Sequence, residues 1–206
     1  VLDGGLGGEL IRRGWPRGGL WSAKALVEQP EIIRSVHDDY INAGARVIIT
    51  NTYSTIPSYL DKSGMGDSYL EFTERAGRIA REAADESGFD VKVAASIPPL
   101  SESYRPDLVP EAEVALPIYE AMAACLAPFA DIYLCETMSS IQESKNAVTA
   151  IRSANKTIPI WVAWTLHDQP GAGLRSGESI SLAVAALSED GIEAFLFNCT
   201  DPQAIS

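Results

Sequence analysis

Residues 132–140 read IYLCETMSS, an apolar run that stops at a carboxylate. The first four residues show no alternation of polar and apolar side chains, which is typical of a parallel strand covered on both faces. Ser139 or Ser140 then offers an N-cap for a helix over residues 140–153, with Glu143 as the capping-box partner. This stretch therefore predicts a buried strand that leads directly into a helix.

The same alternation of a short apolar run and a helical pattern recurs along the chain. Further strands are predicted at 46–50 (RVIIT), 91–95 (VKVAA), 160–164 (IWVAW) and 194–197 (AFLF), and residues 1–2 look like the end of an earlier strand. Helices are predicted from Pro30 to 42–44 and over 70–84, 111–127, 140–153 and 179–188. Strict alternation indicates a parallel sheet, either closed as a barrel or open and doubly wound.

The glycine-rich segment after the first strand favours the barrel. An open dinucleotide-binding sheet would place G-x-G-x-x-G there, and an acidic residue after its second strand. Residues 4–8 read GGLGG instead, and no acidic residue stands at the ribose-binding position. We therefore predict an α/β fold of the TIM-type (β/α)₈ barrel class with about six βα units, and we expect its last strands beyond Ser206.

The composition fits one domain over residues 1–206, with 46% hydrophobic and 21% charged residues. A formal net charge of −12 disfavours nucleic acid and anionic membranes as partners. No apolar run approaches the roughly 20 residues that span a bilayer, and we expect no signal peptide. Three widely spaced cysteines are not a disulfide framework, so we expect a cytoplasmic protein.

Polar side chains follow every predicted strand. In a barrel the carboxyl ends of the strands surround the active site. We therefore expect Asp3, Asn51, Glu136 and Cys199 to converge on one cavity. The segments that end the six strands are 3–5 (DGG), 50–53 (TNTY), 96–99 (SIPP), 135–138 (CETM), 165–168 (TLHD) and 198–200 (NCT).

Two of these polar residues stand out. Glu136 directly follows a predicted buried strand. Burying a carboxylate there costs free energy unless the group is paired or functional. Cys199 lies at a strand end and can meet a ligand, whereas Cys135 and Cys125 fit core positions and His167 fits a loop. Zinc needs three or four ligands, and the chain has no C-x-x-C or H-E-x-x-H. The residues alone therefore predict a barrel enzyme with a carboxylate and a thiol at its mouth.

Structural alternatives stay open for the other strand-end residues. Asp3 can be a helix N-cap or a loop acid. Asn51 and Thr52 can be turn residues whose side chains satisfy backbone groups. The sequence does not decide between these readings and a ligand-binding role.

The segment DGGLGGEL (residues 3–10) resembles the opening D-G-x-x-G-T-E-L of the homocysteine S-methyltransferase family. Other blocks of that family are similar to segments that follow in the same order over the whole chain. These are LWSA at 20–23 with Pro30, then Val36-His37, Tyr40 and AGA at 43–45, TNTY at 50–53, ETM at 136–138, LRSGE at 174–178 and FNCT at 197–200.

The resemblance implies a zinc-dependent methyl transfer to the sulfur of homocysteine, which gives methionine. It implies that Cys199 is one zinc ligand and that two more come from a Gly-Gly-Cys-Cys motif expected beyond Ser206. Glu136 would be catalytic and would hold the substrate ammonium together with Asp3. The further substrate contacts implied are Gly4, Asn51, Thr52 and Asn198.

Two departures from the family pattern leave the methyl donor open. Gly8 replaces the usual threonine, and the loop over residues 96–104 does not look like that of the members that use S-methylmethionine. S-adenosylmethionine, betaine and a folate are the other candidates. We expect small-molecule partners, and homo-oligomerisation is left open.

Two other functions fit part of the sequence pattern. One is a barrel glycoside hydrolase that uses Glu136 as one of its two carboxylates, but no acid on a late strand supplies the second. The other is a non-catalytic barrel that binds a thiol or an amino acid.

Overall fold

The structure, a computed structural model, describes residues 1–16, 18 and 20–205, without the side chain of Trp21. The strand Val47–Ile49 pairs in parallel with Lys92–Ile97, and Ile160–Trp164 pairs in parallel with both Ile132–Met138 and Ile192–Phe197. Residue Leu2 forms a single parallel bridge to Val47, where an earlier strand was predicted. The strands are β1 (Val47–Ile49), β2 (Lys92–Ile97), β3 (Ile132–Met138), β4 (Ile160–Trp164) and β5 (Ile192–Phe197).

Eight α-helices occur in the described chain. The five predicted helices are confirmed within a few residues at each end, and three short helices in the first 60 residues were not predicted. No helix of the described residues is both long and apolar enough to cross a membrane. The helices are α1 (Leu6–Arg12), α2 (Trp21–Glu28), α3 (Pro30–Asn42), α4 (Pro57–Leu60), α5 (Tyr69–Glu86), α6 (Ala112–Leu126), α7 (Ile141–Ala154) and α8 (Ile180–Ala186).

The chain divides into two compact units. The first contains Val1–Ser96 and Cys125–Ile132, and the second contains Ile97–Ala124 and Tyr133–Ser206. That residues 1–206 form one domain stays a prediction.

The first unit packs helices α1, α2 and α3 around a core that contains the fully buried Leu26 and Ile33. Pro30 begins α3, because a first-turn proline lacks only an N–H that would have no helical partner. Helix α5 presents small residues to its neighbours. A Cβ added at Gly77 would lie 2.7 Å from Cδ2 of Phe129, so the close packing of this helix requires glycine.

The second unit is built on β3, β4 and β5 with helix α7. The indole N–H of Trp164 donates to the Ser144 hydroxyl at 2.9 Å, and the same ring stacks on Phe195 at 5.0 Å between centroids. The Tyr133 hydroxyl donates to the carbonyl of Ala123 in α6 at 2.7 Å. These contacts tie the helices to the strands that carry the candidate site.

The predicted cap of α7 is present in a modified form. The Ser140 hydroxyl accepts from the N–H of Glu143 at 3.1 Å. The Glu143 carboxylate accepts from Ser139 rather than from Ser140, at 2.7 Å from both its N–H and its hydroxyl. Burial raises the pKa of Glu143, and the two bonds from Ser139 act against that rise.

Candidate active site

The end of β3 departs from regular strand geometry. Cys135 pairs with Val162 but Met138 pairs with Trp164, so one extra residue is inserted between them. Thr137 within this bulge has a φ of 60°, in the left-handed region that non-glycine residues rarely adopt. A bulge of this kind re-aims a side chain at a strand end. Here the inserted segment contains Glu136, which is partly exposed.

Asn198, the residue after β5, holds this bulge. Its side-chain oxygen accepts from the N–H of Thr137 at 2.8 Å, and its amide nitrogen lies 2.9 Å from the Thr137 hydroxyl. The same nitrogen lies 3.2 Å from a carboxylate oxygen of Glu136 and 3.6 Å from the sulfur of Cys199. One amide therefore joins the ends of β3 and β5. We call Glu136, Asn198 and Cys199 the strand-end cluster.

Cys199 is exposed and has a φ of 49°. Its carbonyl accepts from the Thr165 hydroxyl at 3.0 Å. Partial burial, and then the neighbouring Cys199, raise the pKa of Tyr104. Tyr104 has a φ of 64°, so the three non-glycine residues with positive φ in the described chain are Tyr104, Thr137 and Cys199. Backbone strain of this sort clusters at functional sites.

A charged side chain borders the cluster. The guanidinium carbon of Arg175 lies 5.2 Å from the ring centroid of Tyr104. Arg175 also pairs with Asp168 at 2.8 Å, and this hydrogen bond holds the pKa of Asp168 below its usual value. Sequence reasoning did not select Arg175 or Tyr104 as site residues. The sequence signal that could have identified Arg175 is its position in the LRSGE segment at residues 174–178.

Asp3 and Gly4 have clear structural roles in the first unit. Asp3 donates its N–H to the Val47 carbonyl, and its carboxylate accepts from the N–H of Ile49, both at 2.9 Å. Gly5 is the N-cap of α1, so the N-cap reading of Asp3 is wrong. A Cβ at Gly4 would lie 2.8 Å from the Tyr40 hydroxyl oxygen, so the close approach of that ring requires glycine.

Asn51 and Thr52 are buried, with hydrogen bonds inside the first unit. The Asn51 amide donates to the Ser22 carbonyl at 3.0 Å, and the Thr52 hydroxyl donates to the Ser96 carbonyl at 2.6 Å. These bonds support the alternative interpretation, in which the side chains of Asn51 and Thr52 satisfy backbone groups. Their substrate contacts, and the convergence of the first-unit residues with the strand-end cluster on one cavity, stay predictions.

Cys125, Cys135 and His167 lie in a helix, a buried strand and a loop, as predicted. Cys135 is fully buried in β3, and burial raises its pKa. Cys125 is half-buried in α6, and its thiol donates to the Leu70 carbonyl at 3.6 Å. His167 lies in a loop, where its Nδ1 accepts from the N–H of Gln169 at 3.1 Å. Within the described ranges, no group of three or more His, Cys, Asp or Glu side chains is arranged to hold a metal ion.

Comparison with known proteins assigns the family. The sequence model of the family described as homocysteine S-methyltransferase matches residues 1–206. Homocysteine S-methyltransferase YbgG of Bacillus subtilis is 30% identical, over 100% of this chain and 70% of that protein. The homocysteine S-methyltransferase of Escherichia coli is 32% identical, over 82% of this chain and 59% of that protein. The selenocysteine methyltransferase of Astragalus bisulcatus is 30% identical, over 100% of this chain and 69% of that protein.

Comparison with a solved structure assigns the fold class. The metallated form of the homocysteine methyltransferase MmuM from Escherichia coli matches with a TM-score of 0.87 at 28% identity, over 98% of this chain and 75% of that one. This likeness confirms the barrel-type α/β fold class predicted from the sequence. The chain belongs to the homocysteine S-methyltransferase family.

Proposed function

We propose that this protein transfers a methyl group to the thiol of homocysteine and so produces methionine. The observation that carries the proposal is the strand-end cluster. A carboxylate and a cysteine are held together there by one amide, in a chain that the family model matches over residues 1–206. The cluster offers one group for a substrate ammonium, Glu136, and one for a metal ion, Cys199.

A thiol acceptor needs activation, because an ordinary thiol has a pKa of about 8.5 and is mostly protonated at neutral pH. When bound, a zinc ion held by three thiolates supplies the positive charge that deprotonates a substrate thiol. Cys199 fits one corner of such a site, since it is exposed at a strand end. We propose that the other two thiolates come from a Gly-Gly-Cys-Cys motif beyond Ser206.

The residues of this chain bind and orient the substrate. Glu136 accepts hydrogen bonds from its ammonium group, while Asn198 fixes the carboxylate and the bulge that carries it. The thiolate electron pair forms the new bond to the methyl carbon, as the bond between that carbon and the donor atom breaks and its pair stays on the donor. Asp3, Gly4, Asn51 and Thr52 remain proposed substrate contacts.

The acceptor and the donor are separate parts of the proposal. A relative is named for selenocysteine, so homocysteine is proposed here over that closely similar acceptor. The donor is a sulfonium or ammonium compound, or a folate, with S-methylmethionine, S-adenosylmethionine and betaine as the named candidates. Three free cysteines suit a reducing compartment, and we propose the cytoplasm.

The family assignment gives no support to the glycoside hydrolase alternative, so the competing function is a non-catalytic thiol-binding barrel. The test is to incubate the full-length, zinc-supplied protein with L-homocysteine and each donor in turn, and to measure methionine by mass spectrometry. We expect methionine with at least one donor. Binding of homocysteine without product from any donor would favour the non-catalytic barrel, and faster methylation of selenocysteine would contradict the proposed acceptor.

A further inference from the structure

Thr165, the first residue after β4, is fully buried and joins three segments of the second unit. Its N–H donates to the carbonyl of Met138, the last residue of β3, at 3.0 Å, and its own carbonyl accepts from the N–H of Arg175 at 3.3 Å. Its hydroxyl donates to the carbonyl of Cys199, which follows β5, at 3.0 Å. Every hydrogen-bonding group of this residue is therefore used to hold the strand ends together.

The hydroxyl contact lies where the regular pairing of β4 and β5 gives way to a turn. A backbone bond still joins the two chain segments at Asn198, whose N–H donates to the Trp164 carbonyl at 3.2 Å. At the next residue, Cys199, the backbone turns into the left-handed region with a φ of 49°. Its carbonyl accepts from the side chain of Thr165. A side-chain hydroxyl therefore takes over from the backbone at the residue that changes the direction of the chain.

The direction of the Thr165 hydroxyl is fixed by its surroundings. A β-branched side chain has few allowed rotamers, and the backbone of this one is hydrogen-bonded on both sides. The Nε of Arg175 lies 3.5 Å from the hydroxyl oxygen. A cation on the oxygen side leaves the hydroxyl hydrogen directed at the Cys199 carbonyl and polarises the bond to it. The contact is therefore a directed one from a rigid donor.

A zinc ligand needs such support, because zinc sites keep their ligand distances within about 0.2 Å. Cys199 is exposed and lies outside regular secondary structure. A non-glycine residue stays in the left-handed region only when its surroundings hold it there. Without the Thr165 bond, relaxation of the Cys199 φ would swing its Cβ and its sulfur away from the position that the present backbone gives them.

We propose that Thr165 is a positioning residue for Cys199, whose left-handed backbone it fixes so that the sulfur is aimed at the zinc ion. The inference rests on the proposed function, because it takes Cys199 as a zinc ligand. In this proposal Thr165 touches neither the metal nor the substrate and acts only through the geometry of Cys199. Contacts that orient a metal ligand in this way typically change metal affinity by about 10- to 100-fold when they are removed.

The test measures metal binding in the full-length protein. Zinc affinity is obtained by competition with a chromogenic chelator, and the thiolate-to-cobalt charge-transfer absorption of the Co²⁺-loaded protein reports the bound thiolates. Thr165→Val removes the hydroxyl at nearly constant volume. It should raise the zinc Kd about 10- to 100-fold and weaken the absorption per bound cobalt. Thr165→Ala should do the same, whereas Thr165→Ser keeps the hydroxyl and should stay close to the wild type.

Thr73→Val is the matched control for the loss of a buried hydroxyl. Thr73 is fully buried in the first unit, and its hydroxyl lies 2.8 Å from that of Thr55. The variant should therefore melt at a lower temperature than the wild type, as Thr165→Val should. It should keep the zinc Kd and the cobalt spectrum of the wild type, because Thr73 has no contact with Cys199.

Three results would overturn the inference while leaving the proposed function intact. One is a Thr165→Val protein with the zinc Kd and the cobalt spectrum of the wild type. Another is an equal loss of affinity in the serine and valine variants, which would show that the hydroxyl is not responsible. The third is failure of both the valine and the alanine variant to fold, which would make Thr165 a residue of the fold. A full-length wild type that binds no zinc would contradict the proposed function itself, and the inference with it.

Discussion

Asn198 uses its whole side-chain amide inside the protein. The oxygen accepts from the Thr137 backbone, and the nitrogen is shared between the Thr137 hydroxyl, Glu136 and Cys199. Left-handed backbone at a non-glycine residue costs about 1–3 kcal/mol. Thr137 and Cys199 both carry that cost, and the amide bonds offset it. We therefore interpret Asn198 as a residue that positions Glu136 and Cys199.

The first residue-level prediction concerns Glu136. Glu136→Ala in the full-length enzyme should lower kcat/KM for homocysteine about 10- to 150-fold, because a charge-assisted contact to the ammonium is worth about 1.5–3 kcal/mol. Its zinc content should stay close to that of the wild type, since the carboxylate is not a proposed ligand. Steady-state kinetics and metal analysis test both statements. Wild-type kinetics in this variant would show that Glu136 is only structural.

The second residue-level prediction concerns His37, which is fully buried in α3. Neither ring nitrogen has a hydrogen-bond partner in the described chain. Burial, and then the charge of Arg34, lower its pKa to about 4. In the unfolded chain this histidine has a pKa of about 6.5, so the unfolded chain binds the proton first as the pH falls. The free energy of unfolding should therefore fall by about 3 kcal/mol between pH 6.5 and pH 4.

His37→Leu should remove that part of the pH dependence. Urea unfolding of the wild type and the variant at pH 7 and pH 4.5 gives the comparison. The difference in unfolding free energy between the two proteins should shift in favour of the variant at the lower pH. An equal pH dependence in both proteins would mean that His37 does not titrate as a buried neutral group.

At the scale of residues, the sequence predicted some of the candidate site and missed the rest for a physical reason. Glu136 and Cys199 stand directly after apolar runs, so position along the chain was enough to select them. Tyr104 and Arg175 contact each other, and Arg175 contacts Thr165, only because two loops fold against the strand ends. Contacts of that kind depend on tertiary structure and leave no periodic signal.

At the scale of elements, the strands and the longer helices followed from hydrophobic pattern, and the short helices did not. Helix α1 starts among glycines, α2 follows the GWPRGG segment at 14–19, and α4 has four residues. Glycine and proline favour loops locally. The buried Leu10 of α1 and Leu26 of α2 pack in the same core cluster as Ile33. Tertiary packing therefore stabilises helices that local propensity disfavours.

The element-level prediction concerns the cap of α7. Ser140→Ala removes the acceptor for the Glu143 N–H, and it should lower the free energy of unfolding by about 1 kcal/mol. Ser153→Ala at the other end of this helix loses only a bond to the exposed Glu120 and should change stability much less. Chemical denaturation of both variants tests this. Equal effects would mean that the cap does not determine the stability of α7.

For the molecule as a whole, the proposed function depends on both the family assignment and the strand-end cluster. The family model matches residues 1–206, whereas the chain spans 59% to 70% of the relatives named above. Cys199 is the zinc ligand that we propose in this chain, and the proposed methyl transfer depends on it.

The most direct test is Cys199→Ser in the full-length protein, with zinc per chain and methionine formation measured on the same preparation. Hydroxyl groups are much poorer zinc ligands than thiolates, so we predict that zinc and methylation of homocysteine are lost together while the circular dichroism spectrum stays that of a folded protein. Cys125→Ser, in helix α6, should keep both. A Cys199→Ser protein that retains its zinc and its rate but melts at a lower temperature would contradict the account.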